Sequence, residues 1–153
     1  MSTTQADSAW SATTTINRPI DQVFAFLADG TNDRKFSPRV LEITKTTDGP
    51  VGVGTVYSSA VKDAGLKSSR EFELTEFQQP TTIRWKELSK NAITVPDGGY
   101  DLEPAGEGAT RMTISNAFEA HGFGKVLLPL AKRAARKDAD AFAGRIKAAV
   151  EAS

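Results

Sequence analysis

The hydrophobic pattern along the chain changes period twice. Trp10, Ala12, Thr14 and Ile16 alternate with Ser11, Thr13 and Thr15, the period-2, β-branched signature of a half-buried strand. Directly after it, "NRPIDQVFAFLAD" (17–29) sets Ile20, Val23, Phe24 and Leu27 at helical spacing, which predicts an amphipathic helix of about three turns. Pro19 suits a first helical position, and Asp21 lies where the positive helix end favours a carboxylate. "GTNDRKFSP" leaves room for at most one more helical turn before Pro38 stops it. Strand patterns then run over 39–47, 54–62, 68–78, 81–88, 91–102 and 109–119, parted by the turn-like "DGPVGVG", "DAG", "QQP" and "EPAGEG". Separators this short join antiparallel neighbours; parallel strands would need crossover helices. From about residue 121 the period is helical to the end, with Leu128, Ala131, Ala135, Phe142, Ile146 and Ala149 marking one face. Pro129 puts the start of the regular helix near Leu128, or a shorter turn before a kink.

These elements predict an α+β domain: seven antiparallel strands with one face to cover, and one long helix able to cover it. Residues 128–151 would span about 36 Å as a helix, enough to cross a curved sheet from end to end. The positions facing the sheet include Ala131, Ala134, Ala135 and Ala139. Side chains this small either leave enclosed space under the sheet, or are there as good helix formers on which the sheet closes tightly.

Composition narrows the chemistry. At 153 residues the chain fits one domain with a real core, expected over 9–153 behind a flexible tail at 1–8. The 19 basic and 19 acidic residues cancel, so no net field favours nucleic acid or an anionic membrane. With no Cys and one His, thiolate chemistry is excluded and a His-based metal site is disfavoured; no metal or other cofactor is expected. No basic and apolar leader and no stretch of about 20 apolar residues is found, which predicts a cytoplasmic location without a membrane span. "GVGT" (52–55) reads as a hairpin rather than a phosphate loop, because a strand and not a helix follows it.

Strand parity sorts side chains to the faces of the sheet. The faces with the larger apolar groups, taken as inward, carry Tyr57, Ser59 and Val61; Phe72 and Leu74, with Arg70 in the same parity; Ile83, Trp85 and Glu87; Tyr100 and Leu102; and Met112, Ile114, Asn116 and Phe118. Such apolar surfaces with a few polar groups suit either an ordinary core or a small-molecule pocket. Asn116, Tyr57, Tyr100 and Glu87 stand out, because a polar group kept inside needs a partner, water or ligand. A strand bulge would flip these assignments. Arg70 either reaches a ligand carbonyl or carboxylate, or snorkels to solvent. Glu87, His121 and Asp138 are the candidate acid–base groups. His121 has a solvated loop position as its alternative, and Asp138 a charged helix face on which Arg136 and Asp140 are spaced to pair.

The order of "FSPRV" (36–40), "GPVGVGTVY" (49–57), "EFELTEFQQPTTIRW" (71–85), "YDLEPAGEGATRMT" (100–113) and "IKAAVE" (146–151) resembles the START-like (SRPBCC) superfamily, most closely its polyketide cyclase/dehydrase-type branch. The resemblance covers about Trp10 to Glu151. It implies a helix-grip fold: a curved seven-stranded antiparallel sheet around a long C-terminal helix, with one or two short helices between strands 1 and 2, enclosing a deep, mainly apolar pocket. It does not imply a reaction, since carriers, cyclases, hydrolases and chaperone regulators share the fold. The expected function is binding of a small, mainly hydrophobic ligand such as a lipid, quinone, polyketide or aromatic metabolite. Its walls would be Tyr57, Ser59, Arg70, Phe72, Leu74, Ile83, Trp85, Tyr100, Leu102, Met112, Ile114, Asn116 and Phe118 of the sheet, and Ala131, Ala135 and Phe142 of the helix. The alternatives are a cyclase or dehydratase using the same cavity, and a regulatory protein that binds a partner. Nothing in the sequence indicates a protein partner or a homodimer.

Overall fold

The structure is a computed structural model that describes residues 8–63 and 65–153. Apart from Ser8, the tail expected at 1–8 lies outside the described residues. Strand β1 (Trp10–Ile16) runs into helix α1 (Ile20–Ala28) and a 3-10 helix (Gly30–Lys35). Strands β2 (Val40–Lys45), β3 (Val56–Asp63), β4 (Leu66–Gln78), β5 (Thr82–Glu87), β6 (Ile93–Thr94), β7 (Gly98–Pro104), β8 (Thr110–Asn116) and β9 (Glu119–Ala120) follow, and helix α2 (Gly124–Glu151) ends the chain.

Seven strands form one antiparallel sheet in the order β1-β8-β7-β5-β4-β3-β2. It curls about α2 in a helix-grip fold. The expected strand at 91–102 is two pieces, because Pro96 has no N–H to give a ladder. The expected strand at 109–119 bends at the same level, where the Ala117 N–H donates to the Asp97 carbonyl. Beyond these bends the two continue as a separate ribbon, β6 with β9, and this ribbon contacts α2.

Local chemistry explains most boundaries. Pro19 caps α1 from an extended conformation, and the helix starts one residue later than its sequence suggested. Val23, Phe24, Phe26 and Leu27 form the buried face of α1, and the Phe24 ring meets Phe77 edge-on with centroids 5.2 Å apart. Phe77 reaches the core because the β4–β5 register shifts between Leu74 and Glu76. That irregularity turns the strand, so Leu74 and Phe77, not Leu74 and Glu76, point the same way. A second shift, between Val40 and Glu42 in β2, leaves Leu41 exposed.

Helix α2 is 28 residues long and starts at Gly124, not Leu128. Pro129 sits inside it, at the cost of one backbone donor near the start. The second half of α2 is firmly seated: Ala143, Ile146 and Val150 are buried in one cluster with Ile16, Val23, Phe24, Leu102 and Met112. In the first half the large apolar side chains Val126, Leu127 and Leu130 face outward and are exposed. The sheet is therefore gripped tightly at one end of the helix and spanned only by alanines at the other.

Candidate functional site

Where alanines face the sheet, the two layers stay apart. A hollow of about 560 Å³ separates α2 from the sheet, the 3-10 helix and the β6 segment. Its apolar wall includes Phe72, Leu74, Ile83, Trp85, Tyr100, Ile114 and Phe118 from the strands, with Ala131, Ala134, Ala135, Ala139 and Phe142 from α2. Tyr57, Ser59, Arg70 and Asn116 also line it. Of the residues expected to form the wall, all but Leu102 and Met112 line this hollow. Those two share the inward parity but lie at the closed end, where α1 packs on β7 and both are buried in the core. A second, open depression of about 450 Å³, between the outer side of the 3-10 helix and Arg145, Ala148 and Ala149 of α2, has no comparable enclosure.

The polar residues of the hollow differ in how much of their hydrogen-bonding capacity remains free. The Trp85 indole donates to Asn116 Oδ1 at 3.0 Å. Since indole N–H can only donate, this fixes the oxygen side of the Asn116 amide. Gly98 makes the meeting possible: a Cβ there would lie 2.1 Å from Asn116 Oδ1. The Tyr57 hydroxyl reaches the Ala28 carbonyl at 3.3 Å, and its ring needs Gly30, where a Cβ would come within 2.9 Å of Tyr57 Cζ. Burial raises the Tyr57 phenol pKa; the Gly30 N–H hydrogen bond pulls it down, while the nearby Asp29 and Asp33 charges push it up.

The three candidate acid–base groups are committed elsewhere. Glu87 is fully buried as a side chain. Its two oxygens accept from Arg70 Nη1 at 3.0 Å each, from the Val95 N–H at 3.0 Å, from Ser89 Oγ at 2.5 Å and from Asn91 Nδ2 at 2.9 Å. A carboxylate has about four acceptor sites, so Glu87 has none to spare for a substrate proton. It also holds Arg70 inside, against the tendency of Arg to snorkel; Arg70 further donates to the Ile93 carbonyl, stitching β4 to the β6 segment. His121 lies off the hollow in the loop before α2, 49% exposed, with Nε2 2.9 Å from Thr94 Oγ1 and 3.4 Å from Glu119. Asp138 is at the rim, 53% exposed, and accepts from Arg145 Nη2 at 2.9 Å. Nor does the expected Arg136–Asp140 pair form: Arg136 Nε donates to the Ala9 carbonyl instead.

Asp33 is the carboxyl that parity along the strands does not find. It sits in the 3-10 helix, where residues three apart eclipse one another, so Gly30, Asp33 and Phe36 all turn toward the hollow. Burial, and then the neighbouring Asp29 charge, push its pKa up to about 7. No donor among the described residues reaches its carboxylate, although its backbone carbonyl accepts the Phe36 and Ser37 N–H groups. The Asp33 charge in turn adds to burial in raising Tyr100 well above the ordinary phenol value. Tyr100 stands edge-on to Trp85 with centroids 5.0 Å apart. The three-residue spacing of Gly30, Asp33 and Phe36 points to this residue only once the segment is known to be a 3-10 helix. The segment is held by the Asn32 amide on the Phe26 carbonyl and by Arg145 Nε on the Phe36 carbonyl.

Among the described residues no cluster of three or more His, Cys, Asp or Glu side chains is placed to hold a metal ion, and no helix is long and apolar enough to cross a membrane. Comparison with known proteins agrees with the geometry. A family model described as polyketide cyclase/dehydrase and lipid transport matches residues 9–151. The fold is similar to a START superfamily protein from Mycobacterium smegmatis (14% identity, 93% of this chain and 96% of that one, TM-score 0.76). It is similar to a protein from Thermus thermophilus (18% identity, 94% and 97%, TM-score 0.76). It is also similar to the Zhui aromatase/cyclase from a Streptomyces species (16% identity, 92% and 88%, TM-score 0.70). At these identities the likeness is one of fold. No curated protein matches the chain.

Proposed function

The chain belongs to the polyketide cyclase/dehydrase and lipid transport family of the START-like superfamily, and from that footing we propose that it binds a small, mainly hydrophobic molecule in the hollow between α2 and the sheet. Lipids, quinones, polyketides and other aromatic metabolites are the chemical classes that suit it. The observation that carries this reading is the hollow itself: about 560 Å³, within the roughly 300–1,000 Å³ of small-molecule sites and with their composition of apolar walls and few polar groups. Removing such a ligand from water would supply the driving force, at about 25 cal/mol per Å² of apolar surface buried. The paired polar groups Trp85–Asn116 and Arg70–Glu87 keep the wall rigid, so that less ordering is required on binding. Mass spectrometry of small molecules released from the purified protein tests the reading, together with a thermal-shift screen of lipids, quinones and aromatic polyketides. A ligand selective for the native state raises the melting temperature; no released molecule and no shift from any class would count against it.

A second reading, a cyclase or dehydratase using the same cavity, is favoured by Asp33. A carboxyl that titrates near neutrality beside two phenols has the properties of a general acid–base group, and no other carboxyl on the wall is free. Turnover of a poly-β-carbonyl substrate that is lost in Asp33→Asn but kept in Glu87→Gln would support it.

A further inference from the structure

The charged side chains around the hollow are Asp33, Arg39, Asp63, Arg70 and Asp138. Four of them are paired: Arg39 with Asp63 at 3.0 Å, Arg70 with Glu87 at 3.0 Å, and Asp138 with Arg145 at 2.9 Å. Asp33 alone has no donor to its carboxylate among the described residues. Tyr100 has the same property: its phenol enters no hydrogen bond, although the residue is buried. No sealed-off side-chain oxygen or nitrogen among the described residues lacks a partner. The oxygens of both groups are therefore accessible, and both residues line the hollow. The Asp33 charge is felt at Tyr100, so the two face the same part of the space, with Ile83 and Ile114, the neighbours of Tyr100 on the adjacent strands, beside them.

An unpaired carboxyl and an unpaired phenol in a mainly apolar chamber whose other charged groups are paired each cost free energy until something fills their hydrogen-bonding capacity. We propose that Asp33 and Tyr100 form the polar end of the site and hold the hydroxyl group of an otherwise apolar, uncharged ligand. The ligand hydroxyl donates to the Asp33 carboxyl and accepts from the Tyr100 O–H. An anionic head group is disfavoured at this end, because the cations of the wall are already neutralised and a second negative charge would face Asp33. Among the candidate classes, this selects phenols, enols and alcohols over carboxylates and phosphates. The inference rests on the hollow being a ligand site.

Calorimetric titration with a matched series separates the two claims: 2-methylnaphthalene, 2-naphthol, 2-naphthoate and 2-naphthylmethylamine. The full chain should bind 2-naphthol about tenfold more tightly than 2-methylnaphthalene, the gain from one well-made hydrogen bond, and should bind 2-naphthoate least. In Asp33→Leu the preference should fall to about twofold or less, with 2-methylnaphthalene affinity retained. Tyr100→Phe provides a second, nearly isosteric variant with the same direction of change. Equal affinity for 2-naphthol and 2-methylnaphthalene, or tightest binding of the naphthoate or the amine, would overturn the assignment of the polar end while leaving the cavity reading intact. Failure of all four compounds to bind would overturn both.

Discussion

Trp85 and Asn116, on strands β5 and β8 with β7 between them, are joined side chain to side chain by a 3.0 Å hydrogen bond that passes over Gly98 of β7. The bond ties three strands together at the wall of the hollow, and it exists because the middle strand has no side chain at that point. In Gly98→Ala the added Cβ would lie 2.1 Å from Asn116 Oδ1 and 2.5 Å from Trp85 Nε1. Overpacking plus a lost buried hydrogen bond should lower stability by about 1–3 kcal/mol. Urea unfolding followed by tryptophan emission measures it; an unchanged midpoint would show that the wall yields more freely than its packing implies.

Glu87 should behave as a structural ion. Glu87→Ala leaves Arg70, whose side chain is only 26% exposed, without its partner and removes the anchor of Ser89, Asn91 and the Val95 N–H. A loss on the order of 3 kcal/mol is expected, seen as a lower chemical denaturation midpoint. A variant of wild-type stability would return Glu87 to the list of free carboxylates.

Asp33 should leave a mark on the pH dependence of stability. Its folded pKa of about 7 lies above the ordinary 3.8, so between those values the folded state keeps a proton that the unfolded state has released. Stability is then fullest below about pH 4 and falls as pH rises toward 7, with no further loss above. Asp29, Tyr57 and Tyr100 share this environment, but only Asp33 changes charge in that window with a raised pKa. Asp33→Asn should flatten this component, and the variant should gain on the wild type from pH 4 to pH 7. Parallel stability curves for the two proteins would contradict the assignment.

Phe24 is 2% exposed and packed edge-on against Phe77. Phe24→Ala should cost about 3–5 kcal/mol, read from the unfolding midpoint. A negligible change would mean that α1 is not part of the closed end of the core.

Most of the fold is legible in the sequence because period-2 and period-3.6 patterns record which face of each element is buried. Ala12 and Ile16 of β1, and Val23, Phe24 and Leu27 of α1, are buried as their spacing implies. The pattern loses its meaning where the chain bends. Nothing in "EFELTEFQ" marks the irregularity that puts Phe77 rather than Glu76 on the inner face. Nor does parity distinguish Tyr100, which lines the hollow, from Leu102 two residues on, which is capped by α1. Asp33 is hidden for a different reason. A polar run before a proline reads as a solvated turn, and only the three-residue repeat of the 3-10 helix brings its carboxyl around to the hollow.

The most direct test fills the space. Ala135 lines the hollow from α2, and Ala135→Trp would occupy much of it from a helix position that is only half-buried. Titrated with the neutral fluorophore N-phenyl-1-naphthylamine, the wild type should show saturable one-to-one binding and Ala135→Trp none, with the unfolding midpoint of the variant close to wild type. Equal binding by both proteins, or none by either, would contradict a ligand site between α2 and the sheet.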